Sequence, residues 1–143
     1  MARIEGETVI CRPPEEVFDF VADERNEPRY NPHMIRAELL SGEVIERGSQ
    51  FRAATKSMGR TVEMAIEVTG YERPSRLVST TRMKFAEFRG ALTFEPRAGG
   101  TMMRWSWDVE SHGIFKLFTP VIARIGKHQE EVIWGNLKRL LEG

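Results

Sequence analysis

The clearest pattern in the chain is an alternation of apolar and polar residues over positions 60–71. Val62, Met64 and Ile66 fall on one face of an extended segment, whereas Glu63 falls on the other. The same period of two, divided by turn residues, recurs in segments 35–41, 43–47, 49–57, 75–83, 85–95 and 101–110. This pattern predicts a meander of antiparallel strands with one dry face.

Ahead of the meander, the pattern predicts one strand followed by two short helices. Residues 3–11 favour a strand, and the Pro-Pro-Glu-Glu run at 13–16 is typical of a first helical turn. We expect residues 23–28 to end that helix. A second short helix then begins at Pro28 and is stopped by Pro32.

The last segment returns to a helical period and predicts one long amphipathic helix. Thr119 is placed to cap it, and Pro120 fits its first turn. About 23 residues would give a helix of roughly 34 Å, enough to cross a small domain. The stripe expected to face the sheet comprises Ile122, Ile125, Gln129, Val132, Ile133, Leu137, Leu140 and Leu141. The polar residues expected off that stripe are Arg124, Lys127, Glu130, Glu131, Lys138 and Arg139.

Short turn-forming runs separate the predicted strands. The runs are Met58-Gly59, which predicts a tight hairpin, Arg73-Pro74-Ser75 and Ala98-Gly99-Gly100. Nothing in the middle of the 143 residues resembles a linker, so we expect one domain over residues 1–143.

Four runs of residues carry a resemblance to a known family. They are residues 13–23 (PPEEVFDFVAD), 28–32 (PRYNP), 92–96 (LTFEP) with Gly100-Thr101, and 136–142 (NLKRLLE). With the order of elements, they resemble the START-related superfamily, also called SRPBCC, which includes polyketide cyclase/dehydrase-like proteins. The resemblance implies an α+β helix-grip fold, in which a curved antiparallel sheet of about seven strands wraps around the long C-terminal helix. Tyr30 stands where relatives often carry Trp.

The resemblance also implies a cavity between the sheet and the helix. Small residues at Ala53, Thr55 and Gly90, facing a helix that carries Gly126, are expected to leave volume unfilled. The residues expected to contact a ligand are Tyr30, His33, Phe51, Ala53, Thr55, Met64, Ile66, Leu77, Phe88, Leu92, Trp105, Trp107, Phe118, Ile122, Ile125 and Gln129.

The sequence offers few candidate catalytic or metal-binding residues. The weak catalytic candidates are His33 and Tyr30, at the expected cavity mouth, although a solvated loop histidine is the simpler interpretation of His33. Histidine and cysteine spacing matches no metal motif, so we expect no metal and no cofactor.

The alternation along the strands predicts no paired-carboxylate site inside the cavity, because it places five acidic residues on the solvent-facing side of the sheet: Glu63, Glu67, Glu87, Glu95 and Asp108. Arg82 and Arg104 are expected on the convex face, where a strand bulge would turn either into an anchor for an anionic headgroup.

Composition and charge make some classes of binding partner and some cellular locations less favourable than others. Lys plus Arg equals Asp plus Glu at 21 each, so no net field attracts nucleic acid. The single cysteine, Cys11, and an N-terminus without a signal-like apolar run favour a cytoplasmic location. Charged residues interrupt every apolar stretch, so we expect no transmembrane segment, although the sequence is compatible with peripheral membrane contact. The sequence is compatible with either a monomer or a homodimer.

Three functions fit these predictions. The favoured one is binding of a small hydrophobic ligand, such as a lipid, isoprenoid, polyketide or aromatic metabolite, without transforming it. The second is a polyketide cyclase/dehydrase-type enzyme, which a polar pair within hydrogen-bond reach inside the cavity would favour. The third is an interaction protein that binds a quinone or a partner, supported by an exposed apolar patch at Ile114, Phe115, Leu117 and Phe118.

Overall fold

The computed structural model describes residues 2–57 and 59–143. Within them, the chain forms seven strands: β1 (Ala2–Ile10), β2 (Met34–Leu39), β3 (Gln50–Ser57), β4 (Arg60–Glu72), β5 (Arg76–Met83), β6 (Ala86–Arg97) and β7 (Gly100–Ser111). The helical elements are α1 (Pro14–Ala22), a first 3₁₀ helix (Glu24–Arg29), a second 3₁₀ helix (Gly113–Phe118) and α2 (Thr119–Glu142).

All seven strands join one curved antiparallel sheet in the order β1-β7-β6-β5-β4-β3-β2. Strands β2 to β7 follow one another as a meander, and β1 returns to pair with β7. The register aligns Leu77, Leu92 and Trp105 across β5, β6 and β7, so apolar side chains share one face. The helix-grip α+β fold expected from the sequence is therefore confirmed.

The apolar face of the sheet is covered by α1 at one end and by α2 along its length. Phe18 of α1 is fully buried and packs edge-on against Tyr71 (5.1 Å between ring centroids) and Phe94 (5.3 Å). The buried residues of α2 are Ile133, Trp134 and Leu137, which belong to its second half. Burial of these large side chains is the main stabilising contribution in such a core.

Hydrogen bonds fasten the C-terminal end of α2 to the segment after β1. Lys138 donates through Nζ to the Val9 carbonyl (2.6 Å), and the Cys11 amide donates to Glu142 Oε2 (2.8 Å). The Arg12 guanidinium also donates to the carbonyl of Leu141 at 2.6 Å. The first and last elements of the chain are thus tied together at one end of the sheet.

Two glycines permit close approaches that shape the sheet and its helix. A Cβ on Gly90 would overlap the Ser106 carbonyl oxygen and lie 2.9 Å from the Cα of Trp107. A Cβ on Gly126 would lie 2.7 Å from Cδ1 of Ile4. The expectation of empty volume is therefore wrong at Gly90, where the backbone of β7 occupies the space. Gly126, by contrast, lines the cavity described below.

Other local predictions also need correction. Residues 43–47 form no strand; they belong to the connection between β2 and β3. The second short helix covers 24–29 rather than starting at Pro28, because the Asp23 carboxylate accepts the Arg25 amide (3.1 Å) and starts it earlier. Thr119 is the first residue of α2 and does not cap it; its hydroxyl donates to the Lys116 carbonyl (3.0 Å). The predicted Met58-Gly59 hairpin falls partly outside the described residues, since Met58 is not among them.

Candidate functional site

A cavity of about 350 Å³ lies between the inner face of the sheet and α2. Its size is within the range of small-molecule sites. Of the residues predicted to contact a ligand, those found in its wall are His33, Thr55, Met64, Ile66, Leu77, Phe88, Leu92, Trp107, Ile122, Ile125 and Gln129. That any of them contacts a ligand stays a prediction.

The other predicted residues lie away from the wall. Tyr30, Phe51, Ala53 and Trp105 are buried in the core behind it. Phe118 is 52% exposed at the end of the second 3₁₀ helix, because that helix runs over the surface instead of under α2. Apolar residues on the inner face thus occupy two kinds of position, the packed core and the cavity wall. The alternation in the sequence does not distinguish the two.

Further wall residues come from the same strand faces and from both ends of the chain. The apolar and small ones are Ile4, Met34, Val62, Ser79, Thr81, Met83, Phe85, Gly126, Ile133 and Trp134. Parity alone indicates Val62, Ser79, Thr81 and Met83, since they alternate with residues of the convex face on β4 and β5. Ile4 joins them because β1 pairs with β7 beside α2.

Polar residues at one end of the cavity were missed by the sequence predictions. Glu24 and Glu27, from the first 3₁₀ helix, line the cavity together with Asn31 and with Glu130 of α2. Asn31 donates through Nδ2 to Glu27 Oε2 at 2.7 Å, and its Oδ1 accepts the His33 amide at 3.0 Å. The prediction of no paired carboxylates in the cavity is therefore wrong, because the carboxylates come from helical segments and not from the strands whose parity was counted.

Burial governs the ionisation of these carboxyl groups. It raises the pKa of Glu130 to about 8, and the charge of Glu27 adds to the rise. Burial also raises the pKa of Glu24 well above its usual value, again with Glu27 as the largest neighbouring contribution. With a pKa of about 8, Glu130 is mostly protonated at neutral pH.

Aromatic side chains surround the carboxyl groups. Tyr30 and Trp134 lie 5.8 Å apart between ring centroids, and the pKa of Tyr30 is raised well above its usual value by burial and then by Glu27 and Glu24. The indole nitrogens of Trp107 and Trp134 are buried and make no hydrogen bond within residues 2–57 and 59–143. Both indoles lower the pKa of Glu130, against the larger effect of burial.

The candidate anion anchors lie outside the cavity. Arg82 donates to Glu87 Oε1 (2.8 Å), and Arg104 donates to Glu95 Oε2 (2.8 Å), both on the convex face. Each arginine is thus paired with a carboxylate of the convex face, the exposed Glu95 for Arg104 and the mostly buried Glu87 for Arg82.

The described part of the chain lacks two kinds of feature. It contains no group of three or more His, Cys, Asp or Glu side chains arranged to hold a metal ion. In the same residues, no helix combines the length and the apolar character needed to cross a membrane.

An exposed apolar surface lies at the second 3₁₀ helix. Ile114 is 74% exposed, Leu117 84% and Phe118 52%. Phe115 packs instead against Phe85, at 5.7 Å between ring centroids, and Phe85 belongs to the cavity wall. The apolar surface predicted for partner contact is therefore present beside the cavity, and the contact itself stays a prediction.

Comparisons with known proteins agree on family and fold. The family described as "Polyketide cyclase / dehydrase and lipid transport" matches residues 1–142. A crystal structure of a Thermus thermophilus protein has a TM-score of 0.83 at 20% identity, covering 98% of this chain and 97% of that one. A START superfamily protein from Mycobacterium smegmatis has a TM-score of 0.84 at 15% identity, with the same 98% and 97% coverage. Major latex-like protein 151 from Panax ginseng has a TM-score of 0.64 at 12% identity over 92% of this chain and 97% of that one. No curated protein matches the sequence.

Proposed function

The chain belongs to the polyketide cyclase/dehydrase and lipid transport family, and on that premise we propose that it binds a small hydrophobic molecule between its sheet and α2. The observation that carries the proposal is the mostly apolar cavity of about 350 Å³. The ligand classes that suit it are lipids, isoprenoids, polyketides and aromatic metabolites.

The energetics of such a cavity suit reversible binding. A guest that buries roughly 300 Å² of apolar surface gains about 7 kcal/mol at 25 cal/mol per Å² before the costs of association. The lining supplies that apolar surface from both layers, for example Ile66 and Leu92 from the sheet and Ile122 from α2. Micromolar affinity corresponds to about 8 kcal/mol net, so we expect binding weaker than micromolar for a ligand of this size without a specific polar anchor.

Filling the cavity is expected to abolish binding. Thr81 lines the cavity from β5, so Thr81→Phe places a ring in the space that a guest would occupy. We expect it to remove the thermal stabilisation that a panel of hydrophobic probes gives the wild-type protein. Differential scanning fluorimetry and titration with a solvatochromic dye provide the measurement.

The matched control is Thr61→Phe, which adds the same ring to an exposed position of β4. This variant is expected to bind the probes as the wild type does. Flat thermal shifts across a broad panel with the wild-type protein, or unchanged binding in Thr81→Phe, would contradict a ligand function for this cavity.

A second candidate, catalysis of the polyketide cyclase/dehydrase type, is favoured by the Glu27–Asn31 hydrogen bond of 2.7 Å inside the cavity. A carboxylate held in this way is suited to abstract a proton next to a carbonyl group. We expect an enzyme of this kind to convert a synthetic poly-β-ketone faster than buffer does. Glu27→Gln should then lower turnover by about 100-fold or more. Product analysis by mass spectrometry is the measurement, and conversion at the rate of buffer alone would exclude this candidate.

A further inference from the structure

Among residues 2–57 and 59–143, the acidic groups at the polar end of the cavity form no ion pair with a Lys or Arg side chain. Glu24, Glu27 and Glu130 all line it, and the charges that act on Glu24 and Glu130 come from other carboxyl groups. The basic residues nearest in sequence point elsewhere: Arg25 pairs with Asp23 (2.8 Å), and Arg29 lies 5.2 Å over the ring of Phe20. Among the described residues, no Lys or Arg lines the cavity.

The surrounding donors favour the ionised carboxylates. Asn31 holds Glu27 at 2.7 Å, and the indole N–H groups of Trp107 and Trp134 lower the pKa of Glu130. Trp134 is only 4% exposed, and its indole nitrogen has no hydrogen-bond partner in the described residues. Ionised Glu130 would attract these buried donors more strongly than the neutral carboxyl does, and within the described residues no Lys or Arg lines the cavity to stabilise that anion.

Two tryptophans of the cavity wall, Trp107 and Trp134, adjoin Glu130, and two further aromatic side chains lie in the core behind Trp134. The ring of Trp134 lies 5.8 Å from that of Tyr30 and 6.0 Å from that of Trp105, measured between centroids. Trp107 and Trp134 both line the cavity. Aromatic rings beside carboxylates are the arrangement that attracts ammonium groups, because the π faces and the anions act in the same direction.

We propose that the polar end of the cavity binds the cationic head of an organic ammonium ligand, whose apolar body fills the remainder of the cavity. This inference rests on the ligand-binding function proposed above. It specifies the ligand class as a hydrophobic amine or a quaternary ammonium compound. A cation beside Glu130 favours its ionised form, so binding releases a proton wherever that carboxyl group is protonated in the free protein.

The test compares two probes of the same shape, benzyltrimethylammonium and neopentylbenzene, which differ by a quaternary nitrogen in place of a carbon. The charge of the first probe does not change with pH. We expect the cation to bind about tenfold or more tightly than the neutral probe at pH 8.5. Its affinity should rise with pH between 6 and 8.5, by at most about tenfold per pH unit for one released proton, while that of the neutral probe stays flat. The groups that face Glu130 and set this range are Glu27, Glu24, Tyr30 and the two indoles, with His33 also in the cavity wall.

Isothermal titration calorimetry in two buffers of different ionisation enthalpy measures both affinity and proton release. Glu130→Gln is expected to remove the preference for the cation and its pH dependence. Glu131→Gln, at the adjacent exposed position, is expected to keep both. Thermal melts establish that each variant is folded.

Each outcome has a distinct meaning. Binding of neopentylbenzene without a preference for the cation, or without proton release, overturns the ammonium assignment and leaves the hydrophobic cavity function standing. Tighter binding of a matched ketone, with affinity falling above pH 8, also overturns it, because the protonated carboxyl would then be donating to an oxygen. Binding of neither probe class, nor of the wider hydrophobic panel, overturns the proposed function and this inference with it.

Discussion

Replacing Glu130 with glutamine is expected to increase the free energy of unfolding at pH 8, and to leave it nearly unchanged near pH 4.5. The pKa of Glu130 is about 8 in the folded protein because its carboxyl is buried beside Glu27, against an ordinary value of 4.5. Between these two pH values the unfolded chain releases a proton that the folded protein retains. Rising pH therefore favours unfolding, by about 1.4 kcal/mol per pH unit, until both states are ionised above pH 8.

Urea unfolding at half-unit steps from pH 4.5 to 9 measures this effect. The difference between Glu130→Gln and the wild type should grow through the window and level off above pH 8. The variant should keep part of the slope, because burial also raises the pKa of Glu24. Glu131→Gln, at an exposed position, serves as the control and should follow the wild type. Parallel curves for Glu130→Gln and the wild type would show that Glu130 titrates normally.

Replacing Gly90 with alanine is expected to destabilise the protein by about 3 kcal/mol or more. The new Cβ would overlap the carbonyl oxygen of Ser106, and neither backbone can yield without separating β6 from β7. Gly90 pairs with Trp107 in the register, so this displacement also moves an indole of the cavity wall. Chemical denaturation gives the stability, and probe titration the loss of affinity.

Gly70→Ala provides the contrast, since its Cβ would meet a side chain, with Cγ2 of Val78 at 2.8 Å. A methyl group can shift by a rotamer change or a small strand movement, so we expect a smaller loss than at Gly90. Equal losses at the two positions would contradict the assignment of Gly90 as a site of obligatory backbone contact.

Most of the fold was predictable from the sequence because strand periodicity leaves a direct record of the buried face. Val62, Met64 and Ile66 share a parity opposite to that of Glu63 and Glu67, and all three line the cavity. Residues 43–47 show the limit of this reasoning: a short alternation carries the pattern of a strand without a neighbour to pair with. Pairing is a property of the sheet, so no local pattern establishes it.

The polar end of the cavity escaped prediction for two physical reasons. Glu24 and Glu27 lie in a segment interpreted as a helix break, where acidic residues usually face solvent. Glu130 was assigned to the polar side of α2, although Ile133 and Trp134, three and four residues later, are both buried. Residues at these spacings share a face of a helix, so including Trp134 in the apolar stripe would have placed Glu130 toward the sheet.

The uneven attachment of α2 has a mechanical consequence. Its final turns are fastened to Val9, Cys11 and Arg12 by hydrogen bonds of 2.6 to 2.8 Å, and its buried residues lie in the same half. Val121 and Ile125, near its start, are 55% and 53% exposed. Because the C-terminal half of α2 is anchored and its N-terminal half is less buried, we expect movement of α2 to be largest at its N-terminus, beside the second 3₁₀ helix. We therefore expect a guest to enter the cavity beside the N-terminal end of α2.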